Sequence, residues 1–314
     1  MRASATKHLY IVIRYSVLLN ERGKWWRLVR KHQGKGGVPT GGYEKELFSD
    51  ERMIHHQSMF AQITLPGLSC LPRENATVGV FTSDRLPKKW LAGISELISE
   101  FDNMEVVTLP PVSRFSEHVS DWINQKIRQA DRGGDVIFAT VYLDDDDAIA
   151  VDYIDALTPY LDNAFIGMVV SFPSGMRGFW DGSSFTEVTQ TYRPMTAIGL
   201  AHVNKYNCKT QNLEEGESIF TVGSHQSLDR YFPVILDARK DMFIRTVHAK
   251  QDTIPTSILQ KVWRQIQRYA ETPVPSEAVL ERFKLASDLV PKTTKDRRPR
   301  LQEVCKKLWK PGGQ

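Results

Sequence analysis

Four consecutive aspartates, Asp144 to Asp147, directly follow an apolar segment, residues 135–143. Like charges at this spacing repel one another, and a bound cation is a common way to offset the repulsion. Carboxylate oxygens are hard ligands that suit Mg²⁺ or Mn²⁺, and these ions usually keep coordination positions open for substrate phosphates. The run therefore predicts a divalent-metal site.

A helix N-terminus is the alternative explanation, because aspartates there cap free N–H groups and complement the helix dipole. We predict a helix over residues 148–160, so capping would account for one or two of the four, Asp147 above all. It does not account for four in a row after an apolar strand. The calcium loop of an EF-hand is excluded, since its alternating ligands and central glycine are absent.

Strands and helices alternate through the first half of the chain. This order is typical of a mostly parallel, Rossmann-like sheet flanked by helices, in which ligands bind beyond the carboxyl ends of the strands. The helix over 50–65 is predicted to start at an Asp50 N-cap and to end before Pro66. The predicted elements are strand 8–19, helix 50–65, strand 77–82, helix 87–101, strand 105–109, helix 113–130 and strand 135–143.

The second half of the chain has a more mixed pattern. Beyond helix 148–160 we predict a strand over 165–172, then a mixed and more antiparallel region to about residue 220. Helices are predicted over 256–270 and 276–287, on the outside of the fold. The fold class is therefore α/β, with a mixed second half and a helical C-terminal extension.

The charge of the chain is concentrated near its C-terminus. Residues 291–314 hold eight Lys or Arg against two acidic residues, so the remaining residues carry a small net negative charge out of a total of +4. This distribution gives no support to nucleic-acid binding by the main body. The basic tail would contact an anionic membrane surface or remain solvated.

The three cysteines, Cys70, Cys208 and Cys305, are too scattered for a zinc site or a disulfide framework. They indicate a reduced, cytoplasmic setting. No stretch approaches the roughly 20 apolar residues of a membrane helix. We therefore expect a cytoplasmic protein, with the basic tail as a peripheral contact at the inner face of the membrane.

The segment Leu143–Ala148 resembles the Leu-Asp-x-Asp-Asp segment of GT-A-type glycosyltransferases. From about residue 8 to 250 the chain is similar to the bacterial putative rhamnosyltransferase family. Further stretches support the similarity by their order: Arg14–Val17, Phe60 with Ile63–Pro66, Phe81–Pro87, Thr221–His225 and Arg245–His248.

The resemblance implies how the chain is divided. Residues 1–250 would form a GT-A-like catalytic domain, with a nucleotide-binding half over about 1–147 and an acceptor half over about 148–250. Residues 251–314 would form a helical extension that ends in the basic tail. The implied partners are a nucleotide-sugar donor and a glycan, lipid-linked or protein acceptor.

The resemblance also implies a metal and donor site. Asp144 and Asp146 would bind Mn²⁺ or Mg²⁺ and, through it, the donor pyrophosphate. Asp147 would position that pair or bind the donor sugar, and His248 would be a further metal ligand or a structural histidine. The implied donor-binding residues are Arg14, Ser83, Asp84 and Asp145, with an ion pair as the alternative role of Arg14.

A general base near the acceptor hydroxyl is required if the enzyme inverts the sugar configuration. Related enzymes carry an acidic residue, often Glu-Asp, in the region where this chain has Ser224-His225. We take His225 as the first candidate and Asp229 as the second, with Asp237 further along the chain. Asp181 is a candidate for acceptor contacts, and Trp180 beside it is a sugar platform or a packing residue.

Other function classes fit less well. A metal-dependent nucleotidyltransferase would share the acidic site, and a non-catalytic carbohydrate-recognition or scaffold protein would explain the missing Glu-Asp pair. A glycoside hydrolase is disfavoured, because adjacent aspartates cannot lie on both sides of a glycosidic bond. The glycine-rich segment Gly34–Gly42 lacks the Lys-Ser/Thr ending of a phosphate-binding P-loop.

Overall fold

A mixed β-sheet forms the centre of the described structure. The computed structural model of the protein describes residues 5–18, 31–32, 41–111, 115–130, 134–214, 218–220, 225–248 and 272–290. The strands in chain order are β1 (Thr6–Arg14), β2 (Ala76–Ser83), β3 (Met104–Leu109), β4 (Val136–Asp144), β5 (Ala148–Ile149), β6 (Val169–Ser171), β7 (Ser174–Trp180), β8 (Phe185–Tyr192), β9 (Leu200–Asn207), β10 (Asn212–Leu213), β11 (Val234–Leu236) and β12 (Phe243–Val247).

Helices flank this sheet and connect its parallel strands. Short 3₁₀ turns lie at Thr158–Tyr160, Asn163–Phe165 and His225–Arg230. The α-helices in chain order are α1 (Gly41–Leu47), α2 (Asp50–Met59), α3 (Leu65–Leu68), α4 (Lys88–Ile98), α5 (Phe115–Gln129), α6 (Tyr153–Leu157) and α7 (Ser276–Phe283).

The order of strands in the main sheet is β11-β6-β9-β4-β1-β2-β3, with β10 paired to β9. Strands β3, β2, β1 and β4 are parallel. Strand β9 is antiparallel to both β4 and β6, and β11 is parallel to β6. The carboxyl ends of β2, β1, β4, β6 and β11 therefore share one edge of the sheet. The predicted parallel first half and mixed second half are both confirmed.

Alternate residues of β1 bury against opposite faces of the sheet, as the two-residue period of a strand requires. Leu9, Ile11 and Ile13 join the core beneath α2 and α4. Tyr10 and Val12 join a second core, built with Val119, Trp122 and Ile123 of α5. A central strand covered on both faces explains the nearly continuous apolar sequence of β1 and β4.

The helical segment that begins at Asp50 is longer than predicted. Ser49 is its N-cap, so the prediction that Asp50 has this role is wrong. A π-helical turn, Phe60–Thr64, follows α2, and the N–H of Leu65 donates to the oxygen of Phe60, five residues back. Pro66 lies in the first turn of α3 and not beyond the helix. A new helical turn begins there. Proline is tolerated in this first turn, because N–H groups at that position have no acceptor within the helix.

The predicted helix over 148–160 is wrong in its first part. Ala148 and Ile149 form β5, which pairs with Ile244 and Phe243 of β12. Helix α6 begins only at Tyr153. Alanine and isoleucine are compatible with either structure, and pairing with a strand almost a hundred residues away decides between them. Together β5, β12, β7 and β8 form a second sheet, of four strands.

Some predictions need shorter bounds or fall outside the described residues. The strand predicted over 165–172 is limited to β6, and the helix over 276–287 ends at Phe283, before Lys284 in the left-handed region (φ 53°). The predicted helix 256–270, the basic tail and most of the glycine-rich segment lie outside the described residues. No helix in the described ranges has the length and apolarity needed to cross a membrane.

Helix α3 packs closely on β5. A Cβ atom built on Gly67 would overlap the backbone oxygen of Ile149. Alanine favours a helix over glycine by about 1 kcal/mol, but the overlap can be relieved only by moving the strand. We therefore predict that Gly67→Ala lowers the free energy of unfolding by about 1–3 kcal/mol in chemical denaturation.

Gly93→Ala in α4 is the matched control. Its Cβ would meet the side-chain amide of Gln57, which is the end of a flexible side chain. This variant should be neutral or slightly more stable than the parent protein. Equal effects of the two substitutions would contradict the close packing of α3 on β5.

Candidate functional site

The site is built around the carboxyl ends of two neighbouring parallel strands. Arg14 is the last residue of β1 and Asp144 the last of β4, and the sheet register pairs them directly. The Arg14 guanidinium contacts Asp144 Oδ1 at 3.3 Å and lies over the ring of Tyr142, 5.6 Å from its centroid. The hydroxyl of Tyr142 donates to the same carboxylate oxygen at 2.9 Å. The ion-pair alternative for Arg14 is the arrangement that the structure shows.

The four aspartates form a turn and not the start of a helix. The N–H of Asp147 faces the oxygen of Asp144 at 3.5 Å, and β5 begins at the next residue. Asp147 therefore caps no helix, and the capping interpretation is wrong. The turn brings carboxylate oxygens of Asp144, Asp146 and Asp147 within 4.8 Å of one another.

This donor set fits a hard divalent cation. Two oxygen ligands of one Mg²⁺ or Mn²⁺, each about 2.1 Å from the ion, lie roughly 3–4 Å apart. The three carboxylates would thus need only small adjustments to share one ion. The side chains of Asp144 and Asp146 are 33% and 16% exposed, so the cluster is accessible from the edge of the sheet.

Pairing between β5 and β12 brings a distant segment to this turn. The N–H of Thr246 donates to Asp147 Oδ1 at 2.8 Å. His248, just after β12, contacts Asp146 Oδ2 through Nε2 at 2.8 Å. The imidazole of His248 is fully buried. The structure therefore joins His248 to the acidic turn, although its Nε2 is not part of the cluster of three carboxylates.

Two histidines of α2, which the sequence analysis passed over, complete the surroundings of the turn. His56 Nδ1 contacts Asp145 Oδ2 at 2.9 Å, and both side chains are buried. His55 Nε2 contacts His248 Nδ1 at 2.9 Å. The sequence does carry a sign that His56 is buried: it lies three residues from both Met53 and Met59, on the apolar face of the helix. Asp145 thus points towards α2 and away from the other three carboxylates.

The electrostatics of the cluster favour a cation. Burial raises the pKa of Asp147 well above its usual value, and the charges of Asp146 and Asp144 add to the effect. Burial also raises the pKa of Asp144, with Asp146 and Asp145 acting against the lowering influence of Arg14. Burial opposes the ionisation of Asp146, but the hydrogen bond and charge of His248 lower its pKa. A divalent ion would relieve this mutual repulsion.

The predicted nucleotide-binding residues lie on one side of the turn. Ser83 ends β2, and Asp84 follows it at the same edge of the sheet. Two strand spacings, about 10 Å, separate β2 from β4. The Ser83 side chain is buried and its Oγ accepts from the N–H of Arg85 at 3.1 Å, whereas Asp84 is exposed. Of the two side chains, that of Asp84 is the accessible one.

The predicted acceptor-side residues lie on the other side. His225 begins the 3₁₀ turn before β11, and its Nδ1 contacts the oxygen of Met195 at 2.6 Å. The N–H of Met195 donates in turn to Ser171 Oγ, at the end of β6. These contacts connect His225 to the end of β6. Strand β6 lies two strand spacings, about 10 Å, from β4 in the sheet. Asp229, four residues further on, is exposed.

Three other candidates have structural partners. Hydrogen bonds from Arg239 lower the pKa of Asp237 to about 2, and the hydroxyl of Tyr160 donates to the same carboxylate. Asp181 accepts from Ser183 and Ser184 in the turn between β7 and β8. Trp180 is buried and packs against Phe185, so its packing interpretation is confirmed.

The fold and the site define a class. A parallel β3-β2-β1-β4 half carries an acidic turn at the end of β4 and is joined to a mixed half. This is the architecture that the resemblance to GT-A-type glycosyltransferases implies. A family profile described as putative rhamnosyl transferase matches residues 42–259, which is more than half of the chain. The protein belongs to this family. No curated protein matches its sequence.

Several solved structures are distantly similar. S. aureus TarS (residues 1–349) is 12% identical, with a TM-score of 0.32, and the match covers 76% of this chain and 60% of that one. The same protein in complex with UDP is 13% identical, with a TM-score of 0.33, and the match again covers 76% of this chain and 60% of that one. The mannosyltransferase PcManGT from Pyrobaculum calidifontis, in complex with GDP-Man and Mn²⁺, is 12% identical, with a TM-score of 0.35. That match covers 95% of this chain and 69% of the other.

Proposed function

We propose that this protein transfers a sugar from a nucleotide-sugar donor to a hydroxyl group of an acceptor, with a divalent cation bound at Asp144, Asp146 and Asp147. The observation that carries the proposal is the convergence of these three carboxylates at the carboxyl end of β4. Membership of a glycosyltransferase family gives the reaction class. Rhamnose is the donor sugar that the family description suggests.

The carboxylates of Asp144, Asp146 and Asp147 would hold Mg²⁺ or Mn²⁺ in this site. When bound, the ion supplies positive charge that stabilises the departing nucleoside diphosphate. His248 holds Asp146 in place by a hydrogen bond. Asp145 is held by His56, so its role would be to shape the turn and not to contact the donor directly.

We infer that Arg14 binds the donor diphosphate. Its side chain is 22% exposed and pairs with Asp144, whose charge would be shared with a cation when one is bound. That sharing would free the guanidinium for a phosphate oxygen, for which its planar donors are well suited. Asp84, on the β2 side, would contact the ribose or base, while the buried Ser83 shapes the turn that presents it.

Of the two candidate bases we favour His225. A carbonyl oxygen only accepts, so Nδ1 of His225 must donate to Met195, and the neutral ring then has its lone pair on Nε2. In the reaction the acceptor oxygen bonds to the anomeric carbon while the bond to the diphosphate breaks. His225 Nε2 would take the hydroxyl proton. Asp229 is the alternative, and Asp237 is too strongly paired with Arg239 to serve.

The acceptor is a glycan, a lipid-linked sugar or a protein, as the family resemblance implies. A cytoplasmic site of action, with the basic tail against a membrane surface, stays a prediction. A scaffold protein with a decayed site would keep the fold and lose the metal-dependent binding of nucleotides. Metal-dependent binding of a nucleotide sugar therefore distinguishes an active transferase from such a scaffold.

A thermal-shift panel of UDP-, dTDP- and GDP-sugars, with and without Mn²⁺, tests the proposal. A donor at a concentration 100-fold above its Kd should raise the Tm by roughly 5 °C, and only in the presence of the metal. Asp144→Asn and Asp146→Asn should abolish the shift. Asp121→Asn, an exposed position on α5, should leave it intact. No response of the parent protein to any nucleotide would refute the proposal.

Arg14→Leu tests the part assigned to Arg14. Removal of a positive charge beside the carboxylates should tighten the binding of Mn²⁺ alone by about tenfold. The same change should weaken the binding of the nucleotide sugar, because a phosphate contact is lost. Arg14→Lys, the control, should change Mn²⁺ affinity little. Weaker binding of both ligands to the leucine variant would instead indicate that Arg14 only supports the local structure.

His225→Asn tests the assignment of the base, since the amide of asparagine can still donate to Met195 and only Nε2 is lost. We expect kcat to fall by about 10²- to 10⁴-fold with the donor identified in the panel. Mn²⁺ and donor affinities should not change. Asp229→Asn should retain activity. The reverse pattern would make Asp229 the base, and full activity of both variants would exclude both residues.

A further inference from the structure

Two adjacent histidines on α2 are linked to two different aspartates of the acidic turn, one directly and the other through His248. His56 contacts Asp145 directly, through Nδ1 and Oδ2 at 2.9 Å. His55 reaches Asp146 through His248, by two contacts of 2.9 and 2.8 Å. Helix α2 is about 90 residues away in sequence from the turn, so these contacts tie together two separate parts of the fold.

The contact between His56 and Asp145 determines which carboxylates meet. Four adjacent aspartates cannot all point into one small site without strong repulsion. Asp145 is drawn towards α2 and buried there, and the other three converge at the sheet edge. Fully buried Met53 and Met59, one turn before and after His56, fix the helix at this position.

The chain from His55 to Asp146 fixes a second carboxylate. A carboxylate only accepts, so Nε2 of His248 donates to Asp146, and Nδ1 of a neutral His248 accepts from His55. Because both nitrogens of the buried His248 ring are engaged, its orientation is set from both sides. Hydrogen-bonded outer residues of this kind orient metal ligands and typically affect metal affinity by 10- to 100-fold.

We propose that His55 and His56 are positioning residues, which set the arrangement of the acidic turn and thereby its affinity for a divalent cation. This inference rests on the metal site of the proposed function. The hydrogen bond of His56 goes to Asp145 and that of His55 goes to His248, and neither histidine belongs to the group of three converging carboxylates. They act through Asp145 and through His248, so the effect should appear in cation affinity before it appears in chemistry.

Substitutions that imitate single nitrogens of the imidazole separate the possible roles. The amide nitrogen of asparagine lies close to the place of Nδ1, and that of glutamine close to the place of Nε2. In His56, Nδ1 makes the contact with Asp145, while the buried Nε2 has no hydrogen-bond partner in the described structure. In His55 it is Nε2 that makes the contact. The matching variants are therefore His56→Asn and His55→Gln.

The experiment measures the Kd of the purified full chain for Mn²⁺ alone, from the electron paramagnetic resonance signal of free Mn²⁺. We expect His56→Phe and His56→Gln to bind Mn²⁺ about 10- to 100-fold more weakly than the parent, and His56→Asn to stay within about threefold. His55→Leu should likewise weaken binding, and His55→Gln should restore it. His118→Asn on α5, which covers the opposite face of the sheet, should have parental affinity.

Each other outcome has a definite meaning. Parental Mn²⁺ affinity in His56→Phe overturns the inference, and so does a lower Tm of the metal-free variants without any change in Kd. Binding retained by His56→Gln and lost by His56→Asn would move the role to Nε2 and also overturns it. If His56→Phe does not fold, the comparison of the asparagine and glutamine variants decides. Failure of the parent protein to bind Mn²⁺ would count against the proposed function itself.

Discussion

The mutual repulsion of four adjacent carboxylates is the constraint on which this structure depends. Each aspartate is held by a partner from elsewhere in the chain. Asp144 is paired with Arg14 of β1, and Asp145 with His56 of α2. Asp146 contacts His248, which directly follows β12. Asp147 accepts from the N–H of Thr246, which lies within β12. These contacts leave one carboxylate apart and three together, which is a geometry that a cation can complete.

The fold supplies these partners through long-range pairing. Parallel pairing of β1 with β4 aligns Arg14 with Asp144, and pairing of β5 with β12 brings Thr246 and His248 to the turn. The π turn after α2 and the close approach of Gly67 to Ile149 set the helical segment against β5. A shift in any of these elements would move a partner of the acidic run, so the packing of α2 and α3 is part of the site.

The residues proposed to contact the donor and the acceptor lie along the same edge of the sheet, on opposite sides of the acidic turn. Asp84 lies beyond β2 on one side of the turn, and His225 lies near the end of β6 on the other. A donor and an acceptor that approach from these two sides would meet at the three carboxylates. Strands β2 and β6 each lie two positions from β4 in the sheet and run in the same direction as β4. Their carboxyl ends therefore lie at the same edge as the acidic turn.

The sequence by itself determined the class of fold and the centre of the site. Apolar strand segments and their alternation with helices predicted the parallel half, and a run of four aspartates after an apolar strand indicated a metal site. Only the tertiary structure decided that Ala148 and Ile149 form a strand, that Asp145 turns away from the other three, and that His55 and His56 belong to the site. The physical reason is the sequence separation of the contacts, because periodicity and charge density are local properties of a chain. Strand pairing and the hydrogen bonds of His55, His56 and His248 join residues about 90 to 190 positions apart, and no local pattern encodes such contacts.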